Sequence, residues 1–213
     1  MDFRQVANRN KYDLAASSYD LIAFLLSLGQ ARKLYEEVGK NLDIPAAGTV
    51  VELGCGPATV VPSLLQVIDD SAQIIGIDFS QQMIAIANRK KEANGWHNVQ
   101  FECMDMYDFS PAQKVDAVIF CLALTAMPDY QKALDHALSI LKPGGQLLIV
   151  DSIPLHSKWY HLLTNAYIYL KSLVVGAKPV AEILAYIDRK TIAVEKKTMA
   201  LGVYTLIKSR TPQ

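Results

Sequence analysis

The chain has 213 residues, 51% hydrophobic and 20% charged, enough length and apolar content to bury a core without disulfides or a structural metal and to exclude disorder as its main state. Its 21 Lys and Arg balance 21 Asp and Glu, which removes the broad attraction a nucleic-acid surface exploits, so no dedicated DNA or RNA binder is expected. Cys55, Cys103 and Cys121 are widely spaced with no C-x-x-C pair, which argues against a disulfide framework and a closed zinc site and makes the cytoplasm the expected compartment.

The first twenty residues carry scattered charges and no uninterrupted apolar region, unlike a secretory signal. Up to Thr49 the chain reads as two helical pieces. Short apolar runs then alternate with segments of helical period. The runs are Thr49–Leu53, Gln73–Asp78, Val99–Cys103, Val115–Cys121 and residues 146–151, each short enough for a buried strand. Strand and helix in this alternation predict a doubly wound, parallel sheet.

Between the strands, Thr59 is placed to cap a helix that carries Pro62 in its first turn, where a missing N–H costs nothing. Ser80 is placed to cap the next, with Met83, Ile84 and Ala87 as its apolar face and Asn94-Gly95 as its stop. The third follows Asp129, with Ala133, Leu134, Ala137, Leu138 and Leu141 at helical spacing, and Lys142-Pro143-Gly144-Gly145 ends it and turns the chain into the fifth strand. Further helices and a closing hairpin over residues 191–209 complete the pattern. Residues 21–28 and 159–175 are strongly apolar, but the first is too short to span a bilayer and the second is interrupted by His161, Asn165 and Lys171. Each reads most simply as a core helix; resting on a lipid surface or covering a greasy substrate are the alternatives.

The chemistry concentrates at the strand ends. The first strand runs through Glu52 and Leu53 into Gly54-Cys55-Gly56-Pro57-Ala58-Thr59. In open α/β sheets ligands bind at the carboxyl ends of the strands, and glycines there let the backbone approach them. Loop N–H groups and the following helix N-terminus could meet an anion such as a carboxylate. A dinucleotide fingerprint would need a third glycine where Thr59 stands, and the Gly-Lys-Ser/Thr of a phosphate loop is absent. Asp78 ends the second strand, placed to accept hydrogen bonds from a ribose diol, with Phe79 beside it to pack on a purine. Asp105 follows the third strand, suited to an exocyclic amine. Taken singly, each acid fits a loop or a helix cap equally well; three acids at three successive strand ends point to a site.

These residues together resemble the class I S-adenosylmethionine-dependent methyltransferases over about residues 11–153. Val51-Glu52-Leu53-Gly54-Cys55-Gly56-Pro57 is similar to their cofactor loop, Asp78 to their ribose acid, Asp105 to their adenine acid, and residues 141–147 to the turn before their fifth strand. Residues 12–20, with Tyr12 and Tyr19, resemble the N-terminal helix of the ubiquinone and menaquinone biosynthesis enzymes and their phospholipid N-methyltransferase relatives.

The resemblance implies a Rossmann-like, mostly parallel sheet of seven strands with a C-terminal antiparallel hairpin. It implies one domain: residues 1–48 covering the site, 49–153 binding the cofactor, and 154–213 supplying acceptor-side helices and closing strands. S-adenosylmethionine is the implied cofactor, held by Tyr19, Glu52, Gly54, Cys55, Gly56, Asp78, Phe79, Met83, Asp105, Met106 and Cys121. Tyr12, Tyr19 and His156 fall on the catalytic side. The implied acceptor is a small, hydrophobic, quinone-precursor-like or lipid-like molecule, with peripheral membrane contact and a monomer or homodimer as expectations.

Two positions depart from the family pattern. Ala58 replaces the usual third glycine and carries a steric cost if its φ is positive. After the fourth strand stands Cys121-Leu122-Ala123-Leu124, where the family often has a His. These leave room for a non-catalytic, cofactor-binding or regulatory protein, and more remotely for a nucleotide-dependent oxidoreductase. His97, His136, His156 and His161 form no recognisable metal spacing, and no metal is expected.

Overall fold

A computed structural model describes residues 29–213. Tyr12, Tyr19, residues 21–28 and the first of the two expected N-terminal helical pieces lie outside this range. The described elements are α1 (Ala31–Asn41), β1 (Thr49–Leu53), α2 (Val61–Leu65), β2 (Gln73–Asp78), α3 (Gln81–Asn94), β3 (Val99–Cys103), β4 (Val115–Cys121), α4 (Tyr130–Ile140), β5 (Leu141–Asp151), α5 (His161–Val175), α6 (Glu182–Lys190), β6 (Ile192–Met199) and β7 (Tyr204–Arg210).

The seven strands form one sheet in the order β3-β2-β1-β4-β5-β7-β6. The first five are parallel, and β7 runs antiparallel to both β5 and β6. This is the Rossmann-like sheet with its antiparallel closing pair. The strand order reverses between β1 and β4, which puts the switch point at the end of β1.

Strand residues alternate between two apolar layers. Val51, Leu53, Val118 and Phe120 face α4 and α6, where Leu134, Ala137 and Ile187 meet them. Val50, Ile119 and Cys121 face the other way, onto Leu34 and Val38 of α1, Leu64 of α2 and Ile168 of α5. Gly39 lets α1 and α2 approach closely: a Cβ there would lie 2.4 Å from the Ser63 carbonyl oxygen.

Ser80 caps α3 by accepting the Met83 N–H, and Gly95 ends that helix in the left-handed conformation, both as the sequence predicts. Thr59 is no cap. Helix α2 begins only at Val61, with Val60 as its unbonded N-cap and Pro62 in its first turn. The fifth strand also departs from expectation, since it begins at Leu141. Val115 pairs Leu141 and Ala117 pairs Gln146, so residues 142–145 bulge out of a strand already under way. The bulge is held by tertiary partners: Lys142 Nζ binds both Asp116 oxygens at 2.8 Å, and Arg210 donates to the Gly144 carbonyl.

The expectation of a core helix at 159–175 holds for one face of α5 only. His161, Asn165, Ile168 and Ser172 are buried, while most of the helix's large aliphatic residues face outward. Among the described residues no helix is long and apolar enough to cross a membrane.

Candidate functional site

The carboxyl ends of β1, β2 and β3 bring together the acids and glycines that the sequence singles out. Glu52 lies in β1 opposite Gly76 of β2 and Ile119 of β4, only 1% exposed. Its Oε2 accepts no hydrogen bond from the described residues. Burial, reinforced by the nearby Asp78 charge, pushes its carboxyl up to about 8. A buried carboxyl with an orphaned oxygen costs free energy unless it serves a ligand or stays protonated.

The loop after β1 is folded by its own N–H groups. Gly54 and Cys55 both donate to the Ile77 carbonyl, at 2.8 and 3.0 Å, and Gly56 donates to Asp78 Oδ2 at 2.9 Å. These three donors are committed, and α2 begins only at Val61, five residues beyond Gly56. For these three residues the expectation that loop N–H groups meet an anion does not hold. The loop offers space instead. Gly56 has φ +51°, and no atom of the described residues lies within 4 Å of where a Cβ would stand. Gly54 has φ +77°, and a Cβ there would lie 2.7 Å from that of Ala123 in the turn after β4, so only glycine lets the two loops meet.

Ala58 does take the positive φ that the sequence made a concern, at 60°, with its methyl fully buried. Such a conformation costs an L-residue roughly 1 to 2 kcal/mol. Ala58→Gly is therefore expected to change stability by less than about 1 kcal/mol, strain relief offsetting a lost methyl and a more flexible unfolded chain. Ala58→Val adds bulk and β-branching and is expected to cost about 2 to 4 kcal/mol in urea unfolding.

Asp78 is the organising carboxylate. Besides the Gly56 N–H it accepts that of Ser80 at 2.9 Å, while its carbonyl accepts from Met104. One side chain thus ties the loop after β1 to the entry of α3. Phe79 is half-buried beside it. Asp105 caps the short turn Met106–Asp108 through the Tyr107 N–H, the bland role open to it from sequence, at a position that also borders the β2 end.

The remaining predicted residues contribute mainly packing. The Met83 side chain is buried under the α3 cap, Met106 joins the core with Leu53 and Ile77, and Cys121 packs in the opposite layer with Ala58 and Ile119. Burial pushes the Cys55 and Cys121 thiols well up, which leaves them unreactive as nucleophiles. His156 is exposed. His161 is buried at the start of α5, its Nδ1 accepting the Lys158 N–H.

Sequence reading missed a second buried group. Asp151 ends β5 and is 2% exposed, accepting the Thr125 N–H and hydroxyl and the Ser152 N–H. Lys171 of α5 interacts with it electrostatically; burial pulls the amine down to about 8, and its Nζ lies 3.9 Å from the Tyr204 ring centroid. Asp151 could have been found by the rule that found the other acids, since it is a fourth carboxylate at a strand end. Nothing in the spacing of Lys171 or Tyr204 announces their meeting.

Residues 50–145 match the family described as a methyltransferase domain. Demethylmenaquinone methyltransferase of Listeria welshimeri is 26% identical over 157 residues, which cover 73% of this chain and 66% of that protein, just under two thirds of its length. Among solved structures, the N-methyltransferase NodS of Bradyrhizobium japonicum, in complex with S-adenosyl-L-homocysteine, aligns with a TM-score of 0.64 at 14% identity, over 86% of this chain and 88% of that one. The (4+2)-cyclase SpnF aligns with a TM-score of 0.67 at 19% identity, over 85% and 81%. The matched sequence, the strand order and the glycine loop beside Glu52 and Asp78 agree in their likeness to S-adenosylmethionine-dependent methyltransferases, and residues 50–145 match the methyltransferase domain.

Proposed function

We propose that the protein transfers a methyl group from S-adenosylmethionine to a small hydrophobic acceptor of quinone-precursor or lipid type. The observation that carries the cofactor half of this reading is the buried, unpartnered Glu52 Oε2 in a strand that runs into the loop at Gly56, where no atom of the described residues stands within 4 Å of a Cβ position. A cationic ligand compensates such a carboxylate, and a glycine with nothing above it admits a ligand that any side chain would exclude. The residues fit the cofactor, with Asp78 for its ribose, Phe79 and Asp105 for its adenine, and Glu52 toward its cationic end.

S-adenosylmethionine supplies an activated methyl on a sulfonium, so the protein need only orient the acceptor behind it and exclude water. Tyr12, Tyr19 and His156 are the proposed acceptor-side residues. Lys171, whose amine burial pulls down to about 8 and which interacts electrostatically with Asp151 at the end of β5, is a further group that, in its deprotonated form, could take a proton from an acidic acceptor. The hydrophobic acceptor is supported by the likeness to demethylmenaquinone methyltransferases and by the apolar segment 159–175 that follows β5.

Thermal unfolding with S-adenosylmethionine, S-adenosylhomocysteine, NAD and NADP added separately tests the cofactor half. A ligand at 100 times its dissociation constant stabilises the native state by about 2.7 kcal/mol. A shift with the two adenosyl sulfur ligands alone is expected. A shift with a nicotinamide nucleotide would overturn the reading. Transfer of labelled methyl into a quinone-precursor or lipid fraction tests the acceptor, and cofactor binding without any transfer would identify a non-catalytic protein.

A further inference from the structure

Helix α5 is turned inside out relative to an ordinary surface helix. His161, Asn165, Ile168 and Ser172 face the protein, at spacings of four, three and four residues. The polar members of that face are employed: Asn165 bonds both the N–H and the carbonyl of Leu155, and His161 accepts the Lys158 N–H. The opposite face carries Trp159, Leu162, Leu163, Leu170, Leu173 and Val174, each between 63% and 85% exposed. At 3.6 residues per turn the five of these that belong to α5, from Leu162 to Val174, fall within an arc of about 120° centred roughly 150° away from the buried row, with Trp159 just before the helix.

Two other observations say what covers this stripe. From residue 152 to residue 181 the chain has Lys158, Lys171 and Lys178 and no Asp or Glu, although the whole chain carries 21 acids in 213 residues, or three for a stretch of this length. The exposed Lys158 and Lys178 flank the stripe at its two ends. The turn 200–202 between β6 and β7 also displays Leu201 to solvent at 77% exposure, with Ala200 and Leu201 both held at positive φ. His161 of α5 packs against that turn at Gly202. Since Thr205 pairs with Asp151, the turn lies at the carboxyl end of β5, the same rim as Glu52 and Asp78.

We propose that α5, with Leu201 beside it, docks the protein on an anionic lipid surface, the helix lying in the plane of the interface. A lone convex stripe of aliphatic side chains with a tryptophan at one end and lysines at both suits a lipid boundary. At 15 residues the helix is too short to cross a bilayer, which needs about 20. Docking rests on this surface alone. Its consequence, that the rim bearing the cofactor loop is held near the level where a greasy acceptor dissolves, rests on the proposed function.

The test is flotation of the full chain with vesicles of phosphatidylglycerol and phosphatidylcholine, or of phosphatidylcholine alone. Binding to the anionic vesicles is expected, with a blue shift of Trp159 emission in a Trp96→Phe background. Leu162→Glu/Leu173→Glu, at exposed positions and with its melting temperature checked, is expected to lower partitioning at least tenfold. Lys158→Glu/Lys178→Glu should remove the preference for anionic vesicles. Failure to float, or flotation unaffected by the leucine substitutions, overturns the proposal. So does a dimer in sedimentation that those substitutions dissolve, or a Trp159 already shielded from acrylamide without lipid, which would give the stripe to a second copy or to residues 1–28. None of these readouts depends on methyl transfer, so the docking and the proposed reaction stand or fall separately.

Discussion

Asp78→Ala is expected to lower cofactor affinity by more than tenfold and to destabilise the protein even without cofactor. The two effects have separate origins. The carboxylate accepts the N–H groups of Gly56 and Ser80, and hydrogen bonds to a charged group each contribute about 1.5 to 3 kcal/mol, so losing both should cost roughly 3 to 6 kcal/mol in denaturant unfolding. Loss of the proposed ribose contacts adds a further 1.5 to 3 kcal/mol or so to the binding deficit. Asp78→Asn keeps an acceptor for only one of the two N–H groups and turns an NH2 donor toward the other, so it should recover only part of the stability and of the affinity. Calorimetric titration of folded variants with S-adenosylhomocysteine separates the two, and wild-type affinity in either would refute the ribose assignment.

Glu52→Gln is expected to flatten the pH dependence of stability of the ligand-free protein. The folded-state carboxyl titrates near 8 against an ordinary value of 4.5, so the native state holds a proton that the unfolded state has released. Stability from this group is therefore complete below pH 4.5 and is lost as pH rises toward and through 8. Between pH 5 and pH 8 the wild type should lose about 3 kcal/mol more than the variant in urea unfolding. Lys171 works in a different window: its amine is lowered from 10.5 to about 8, so its contribution rises with pH across that interval and does not mask the first. At pH 7 a cationic ligand that meets Glu52 should expel its proton, making the binding heat of S-adenosylmethionine depend on the ionisation enthalpy of the buffer. Equal heats in phosphate and Tris would remove Glu52 from the cofactor site.

Much of the frame is legible in the sequence because its causes are local. Four strands, β1 to β4, can be bounded to the residue, since buried parallel strands are short apolar runs with turn residues on either side. The Ser80 cap and the Gly95 stop depend on neighbours within five positions. What sequence conceals are choices made between distant segments. The start of β5 at Leu141 depends on Asp116, Arg210 and Thr211 holding a bulge. Thr59 has a capping side chain, but the left-handed Ala58 and the packing of Val60 and Val61 delay the helix past it.

The site divides in the same way. Glu52, Gly54, Gly56 and Asp78 are recognisable from their places at strand ends, whereas the diversion of the loop's N–H groups to Ile77 and Asp78 is decided by how β1 and β2 align. Periodicity shows that 159–175 is helical and apolar. It does not show which face turns inward, because His161 and Asn165 read as interruptions until their partners at Lys158 and Leu155 are in place.

The antiparallel course of β7 has a practical consequence. Arg210 pairs with Gln146 at the amino end of the regular part of β5, and the Pro212 carbonyl accepts the Gly144 N–H. The chain therefore leaves the sheet on the rim opposite Glu52, Asp78 and α5, separated from them by the length of a six-residue strand, about 17 Å. A polypeptide fused after Gln213, or a linker fixing that end to a sensor chip, would emerge behind the molecule. Immobilised in that orientation, the protein would present its glycine loop and its leucine stripe to whatever flows past, be it nucleoside or vesicle.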